Sequence, residues 1–120
     1  MPAPNPLEIK LHQKSQLVEI SYADGKAFRL PSEFLRVYSP SAEVRGHGPG
    51  QEVLQIGKKN VQIVAVEPVG HYAVQLRFSD GHDTGIYSWD LLYDYGERQQ
   101  VMWQQYLKRL ADAGASREDK

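Results

Sequence analysis

Residues 79–92, SDGHDTGIYSWDLL, carry the pattern that decides the fold. Asp80-Gly81 is typical of a tight turn, because aspartate and glycine tolerate the positive φ angles that such turns require. Residues 84–87 then predict a strand that crosses back beside the strand before the turn. Ser88 can cap a helix that begins at Trp89, since its hydroxyl can accept a hydrogen bond from a free backbone N–H. The stretch therefore predicts a sheet that runs directly into a helix.

Upstream, the first thirty residues predict an antiparallel meander. Residues 7–12 and 16–22 alternate apolar and polar side chains, which is the pattern of half-buried strands. Asp24-Gly25 is a hairpin signal, and residues 26–30 are expected to return as a third strand. Residues 1–6 hold three prolines and are expected to form a flexible arm.

The middle of the chain predicts a short helix and then more strands. Residues 31–38 place apolar side chains at helical spacing, with Ser32 as the expected N-cap, and Pro40 ends the helix. Residues 41–50 contain three glycines and a proline and predict a loop. Three further strands are expected, at residues 52–56, 61–69 and 72–78.

The C-terminal part of the chain predicts helical structure. Residues 89–93 are expected to form a helix that Gly96 breaks. Residues 97–110 place Trp103, Tyr106, Leu107 and Leu110 on one face, as in an amphipathic helix. Residues 111–120 are expected to be a flexible tail. The predicted fold is α+β, a mostly antiparallel β-sheet with a short internal helix and a C-terminal amphipathic helix, in one domain over residues 7–110.

The absence of cysteine and of a strong net charge excludes several classes of function. The chain has no cysteine, which excludes disulfides, thiolate nucleophiles and cysteine-held metal sites within it. The net charge of −1 gives no reason to expect nucleic acid or a membrane as partner. The first residues lack the basic and apolar regions of a secretory signal, so a cytoplasmic location is expected.

Two segments resemble a known family. Residues 80–92, DGHDTGIYSWDLL, resemble the Asp-Gly-His signature, with its downstream aromatic residues and leucine, of the gamma-butyrobetaine hydroxylase-like N-terminal domain. Residues 30–44, LPSEFLRVYSPSAEV, resemble the Trp-Leu-Arg run of that domain, which carries three cysteines. The likeness spans residues 7–95 and is closest to the stand-alone bacterial members, a domain of unknown function.

The resemblance implies a structural zinc site, but this chain lacks most of its ligands. In the hydroxylases three cysteines and one histidine hold the metal, and the matching positions here are Ser39, Ser41, Val44 and His82. Serine hydroxyls are poor zinc ligands, and valine offers no donor atom. We therefore expect no zinc site of the family type and no other cofactor.

The resemblance also implies an accessory module. The hydroxylase chemistry belongs to a separate, larger domain with an iron triad, and the same accessory module is also found attached to P-loop ATPases of iron–sulfur assembly. No G-x-x-x-x-G-K-[ST] motif occurs here, so that ATPase is not part of this chain. The resulting hypothesis is a non-catalytic, protein-binding adaptor linked to iron–sulfur or redox metabolism, monomeric or weakly oligomeric, with an unidentified protein partner.

The predicted partner surface combines basic and aromatic side chains, because tyrosine and arginine are enriched in interface hot spots. Its members are Arg36, Arg45, His47, Tyr93 and Tyr95. In this hypothesis, exchanging Arg36 and Tyr93 weakens partner capture and leaves the melting temperature unchanged.

The alternative hypothesis is a small metal protein in which His47, His71 and His82 converge on zinc or iron. Independent catalysis is disfavoured. Asp80 and His82 with Ser79 or Ser88 lack the geometry of a hydrolase triad. The glycine-rich residues 46–50 precede a predicted strand and not the helix that a phosphate-binding loop requires.

Overall fold

The computed structural model describes residues 5–46 and 50–118. Within them, six strands form two antiparallel three-stranded sheets. The first sheet contains β1 (Pro6–His12), β2 (Leu17–Tyr22) and β3 (Ala27–Pro31) in sequence order. The predicted N-terminal meander is therefore confirmed, with a turn in which Gly25 has φ 90°.

Two short helices follow, α1 (Ser32–Val37) and α2 (Ala42–Arg45). The predicted N-cap of α1 is wrong, because Pro31 holds that position and the buried Ser32 is the first helical residue. The prediction of a loop over residues 41–50 is also wrong where α2 forms. Ser41 caps α2 by accepting a hydrogen bond from the backbone N–H of Glu43 at 3.2 Å.

Residues 52–56 were predicted as a strand and do not form one. Their backbone groups form single hydrogen bonds with different elements instead of a ladder with one strand. The N–H of Val53 donates to the carbonyl of Val44 at 2.8 Å, and the carbonyl of Gln55 accepts from the Tyr106 hydroxyl at 2.7 Å. These backbone groups are thus hydrogen-bonded without a neighbouring strand.

The second sheet contains β4 (Ile63–Val69), β5 (Ala73–Phe78) and β6 (Ile86–Ser88) in that order. Gly81 adopts φ 90° in the connection between β5 and β6, as the Asp-Gly pattern predicts. The strand predicted at residues 84–87 begins two residues later, at Ile86, so residues 79–85 form a longer connection than a tight hairpin.

Helix α3 (Trp89–Asp112) begins where the sequence predicts, since Ser88 accepts a hydrogen bond from the Leu91 N–H at 3.0 Å. The predicted break at Gly96 is wrong, and the helix runs through it. A Cβ at position 96 would lie no more than 2.5 Å from three ring carbons of Phe28. Glycine is used here for close packing of α3 on β3.

Both sheets, α1 and α3 contribute to a shared apolar core, which confirms the α+β class. Fully buried members include Ile20, Leu35, Leu76, Tyr87 and Leu92. In the described part of the chain, no helix is both long and apolar enough to cross a lipid bilayer.

The segment after α3 differs from the predicted flexible tail over its first part. Arg117 donates two hydrogen bonds of 2.7 Å to the carboxylate of Glu33, and its guanidinium lies 5.2 Å from the ring centre of Trp103. The carbonyl of Ser116 accepts from the N–H of Gly57 at 3.0 Å. Residues 113–118 are therefore tied to α1 and to the segment before β4.

Candidate functional site

A buried serine–histidine pair joins the end of α1 to the connection between β5 and β6. The Oγ of Ser39 lies 2.8 Å from the Nε2 of His82, and the two residues are 0% and 6% exposed. The Oγ of Ser39 also accepts a hydrogen bond from the N–H of Ser41 at 3.2 Å. The pair thus links two segments that lie 43 residues apart in sequence.

Helix α2 extends this network towards solvent. The Nδ1 of His82 lies 3.4 Å from a carboxylate oxygen of Glu43. The Thr84 hydroxyl donates to the other Glu43 oxygen at 3.0 Å and lies 2.7 Å from the Ser41 hydroxyl. The N-terminal end of α2 is consequently held to the turn by the side chains of Ser41 and Glu43.

The network does not fit a zinc ion of the family type. The structure brings Ser39 and His82 together, but hydroxyls ligate zinc poorly and the buried Val44 has no donor atom. In residues 5–46 and 50–118 no group of three or more histidine, cysteine, aspartate or glutamate side chains is placed to hold a metal. His71 is exposed, and His47, also named in the metal hypothesis, lies outside the described residues.

Ser39, His82 and Glu43 follow the order of a hydrolase triad, but the serine cannot act as a nucleophile in this arrangement. A nucleophile must reach the substrate, and Ser39 is fully buried. The serines considered from sequence have other partners. Ser79 accepts from the N–H of Gln62, and Ser88 caps α3. The geometry therefore describes a structural network.

Gly85, to which sequence analysis gave no role, and Tyr87 complete the packing of this network. A Cβ at Gly85 would lie 2.6 Å from the Ser39 hydroxyl, so only glycine lets the connection approach it. The Tyr87 hydroxyl donates to the carbonyl of Leu35 at 2.6 Å. The sequence alone carries no signal for the role of Gly85, because Ser39 lies 46 residues earlier in the chain.

Asp80 fixes the other side of the turn. Its Oδ2 accepts from the Nε of Arg36 at 2.9 Å and from the Nζ of Lys58 at 2.7 Å, and its Oδ1 accepts from the N–H of His82 at 3.2 Å. Burial raises the pKa of Asp80, but these hydrogen bonds outweigh burial and lower the pKa to about 2. The carboxylate is therefore ionised throughout the neutral range.

The structure revises the predicted partner surface. Arg36 is buried against Asp80, and the ring of Tyr95 packs in the core, so neither residue is an exposed side chain of the predicted kind. Tyr93 is half-buried, and its hydroxyl donates to Asp24 at 2.6 Å. Arg45 is exposed, whereas His47 lies outside the described residues. Of the five predicted residues, Arg45 is the one that the described part of the chain shows as an exposed cation.

An open cleft runs between α3 and the wall formed by α2 and residues 52–53. Its volume is about 730 Å³. Its walls combine apolar side chains with arginines, and they include Val37, Val44, Arg45, Val53, Leu91, Asp94, Arg98, Met102, Gln105 and Arg109. Sequence analysis missed this cleft, because its walls come from three distant parts of the chain.

Two tyrosine hydroxyls lie beside arginines in this cleft. The Tyr95 hydroxyl donates to the carbonyl of Tyr38 at 2.7 Å and lies 3.3 Å from a guanidinium nitrogen of Arg45. Burial raises the pKa of both phenols, although Arg45 opposes this at Tyr95 and Arg109 opposes it at Tyr38. Both phenols are therefore neutral near pH 7, and the charges of Arg45 and Arg109 are not cancelled by them.

His82 is expected to make the stability pH-dependent. Burial lowers its pKa below the ordinary 6.5, Arg36 lowers it further, and Glu43 and Asp80 act in the opposite direction. Because the unfolded chain binds this proton more tightly, the contribution is complete above pH 6.5 and is lost as the pH falls through the folded-state pKa. Urea unfolding between about pH 7.5 and pH 5 should show a steeper decline for wild type than for His82→Gln.

The matched control for this measurement is His71→Gln, which changes an exposed histidine. This variant is expected to keep the wild-type pH profile. Equal slopes for wild type and His82→Gln would show that the buried imidazole does not control the decline.

The fold and the site define a small α+β domain in which a buried hydrogen-bonded network joins the segment after α1 to the connection between β5 and β6. The chain belongs to the gamma-butyrobetaine hydroxylase-like, N-terminal family, whose model matches residues 9–93. The resemblance carried by the Asp-Gly-His segment is thus confirmed. No curated protein matches the chain.

The chain is also similar to solved structures in sequence and fold. One NMR solution structure is 48% identical, with a TM-score of 0.85 and coverage of 98% of this chain and 93% of that one. A second is 55% identical, with a TM-score of 0.82 and coverage of 97% and 86%. A crystal structure from Acidithiobacillus ferrooxidans is 46% identical, with a TM-score of 0.63 and coverage of 77% and 92%. That protein belongs to the DUF971 family and has unknown function.

Proposed function

We propose that this chain is a non-catalytic protein-binding module that docks a partner in the cleft between α2 and α3. The observation that carries the proposal is the contrast between two neighbouring features. The Ser39–His82 network is buried and internally hydrogen-bonded, whereas the cleft beside it is open and has both apolar and charged walls. Interfaces commonly combine apolar contacts with arginine and tyrosine in this way.

The shape of the cleft favours a polypeptide over a small metabolite. Its α3 wall extends from Leu91 to Arg109, and an α-helix rises 1.5 Å per residue, so this wall is about 27 Å long. Val53, on the opposite wall, is 53% exposed and available for apolar contact. An extended chain segment matches an open groove of this length.

The resemblance to modules attached to P-loop ATPases adds a hypothesis about the pathway. The partner would belong to iron–sulfur or redox metabolism, and the module would act as its adaptor. No metal is part of this proposal, because the donor atoms around His82 do not fit one.

A matched pair of variants tests the proposed docking surface. Val53 and Val64 are similarly exposed, at 53% and 50%, but Val64 lies on β4 and not in the cleft. Val53→Asp places a charge where the partner must bury apolar surface, and we expect it to reduce partner capture by about tenfold or more. Val64→Asp should capture as well as wild type.

Wild type and both variants are immobilised separately and incubated with native lysate. The partner that each protein retains is identified and quantified by mass spectrometry. Thermal unfolding of both variants verifies the fold. Undiminished capture by Val53→Asp, equal losses in both variants, or no specific partner for wild type would each overturn the proposal.

A further inference from the structure

We infer that the α2–α3 cleft recognises an acidic peptide segment through Arg45 and Arg109. This inference rests on the proposed function and names the chemistry of the partner. Ser39 of the buried network also lines the cleft, but neither arginine hydrogen-bonds to Ser39 or His82, so the inference concerns the open side of the cleft.

Charge is the first argument. Three arginines line the cleft, Arg45, Arg98 and Arg109, against two carboxylates, Glu52 and Asp94, which gives the lining a net charge of +1. The whole chain has a net charge of −1, so the cleft is locally positive on a slightly acidic protein. Carboxylates are therefore attracted to this face more than to the average surface.

The second argument is which of these arginines is available to a ligand. Arg98 donates to both oxygens of Asp94, at 3.0 and 2.7 Å, and is occupied by that carboxylate. Arg45 and Arg109 lie instead beside the hydroxyls of Tyr95 and Tyr38, which are neutral acceptors. A ligand carboxylate can replace or supplement a phenol at each guanidinium and form a stronger, charge-assisted hydrogen bond.

The third argument is the apolar part of the cleft, which selects a peptide over a purely ionic ligand. Val53, which is 53% exposed, and the partly buried Leu91 supply its accessible apolar surface, and the buried Val37, Val44 and Met102 lie beneath them. A matching segment must place an apolar side chain between its acidic residues. A continuous polyanion such as a nucleic acid is disfavoured, because Glu52 and Asp94 stand in the same lining.

Fluorescence anisotropy with a labelled synthetic peptide tests the inference. The probe is a peptide of about nine residues built from Glu-Glu-Leu repeats, since about eight extended residues cover about 27 Å. We expect saturable binding that weakens with added salt. Arg45→Ala combined with Arg109→Ala should raise the dissociation constant by about tenfold or more.

The matched control combines Arg29→Ala with Arg77→Ala, which removes the same charge from exposed strand positions outside the cleft. It should leave binding unchanged, as should competition with a single-stranded oligonucleotide. Lys-Lys-Leu repeats should not bind.

Absence of peptide binding, equal loss in both double variants, or displacement by the oligonucleotide would overturn this inference. If any of these results were obtained while Val53→Asp still lost partner capture, the proposed docking function would stand and only the acidic-peptide inference would fail.

Discussion

Gly96→Ala is expected to lower the free energy of unfolding by about 2 kcal/mol, although alanine is the better helix former. Position 96 lies inside α3, where alanine would ordinarily stabilise by about 1 kcal/mol. The added Cβ would, however, lie no more than 2.5 Å from three ring carbons of Phe28. That ring also packs edge-on against Tyr22 and Tyr93, at centroid distances of 6.0 and 5.5 Å, so it cannot move without disturbing the cluster. Chemical denaturation of both proteins measures the difference.

A second background separates crowding from any other effect of the alanine. In a Phe28→Ala protein the obstructing ring is gone, so Gly96→Ala should become stabilising by about 0.5–1 kcal/mol. The reversal of sign identifies the Phe28 contact as the cause. A Gly96→Ala variant that is as stable as wild type would show that α3 can shift away from β3 at little cost.

Arg36→Met is expected to lower the free energy of unfolding by about 3 kcal/mol. The Arg36 side chain is 8% exposed and donates to Asp80 and to the side chain of Gln55 at 3.0 Å. Its removal leaves the Asp80 side chain, which is 20% exposed, with one fewer cation, while Lys58 still donates to the same carboxylate oxygen. This expectation reverses the sequence-based one, in which exchanging Arg36 affected partner capture and not stability.

Arg77→Met provides the control for Arg36→Met. Arg77 forms an exposed pair with Glu67 at 3.6 Å, and exposed pairs contribute about 0–1 kcal/mol. A double-mutant cycle with Asp80→Asn isolates the pair, and we expect a coupling energy above about 1 kcal/mol. If Arg36→Met and Arg77→Met cost the same, the buried pair does not hold the turn in place.

Much of the fold could be predicted from the sequence because its signals are local. Alternation over residues 7–12 and 16–22 and the two Asp-Gly turns specify strands and their reversals without tertiary information. Gly96 could not be interpreted correctly in this way. A glycine that breaks a helix and a glycine that admits a neighbouring ring look the same until β3 is placed against α3.

The candidate site was predictable only in part, because its contacts are long-range. The family resemblance brought Ser39 and His82 into one site, and the structure places them 2.8 Å apart. The resemblance could not show that the Arg36 side chain is buried and donates to Asp80, since an arginine on a short helix usually faces water. The cleft was invisible in the sequence, because its walls lie on α2, residues 52–53 and α3.

Site-directed photo-crosslinking tests the central claim, docking in the cleft, most directly. A photoreactive amino acid at Gln105, which is exposed and lines the cleft, is compared with the same group at Glu67, which is exposed on β4. In cell lysate, the position in the cleft should form a covalent adduct with one identifiable partner protein, and position 67 should not. Adducts at position 67 alone, or equally at both positions, would contradict docking in the cleft.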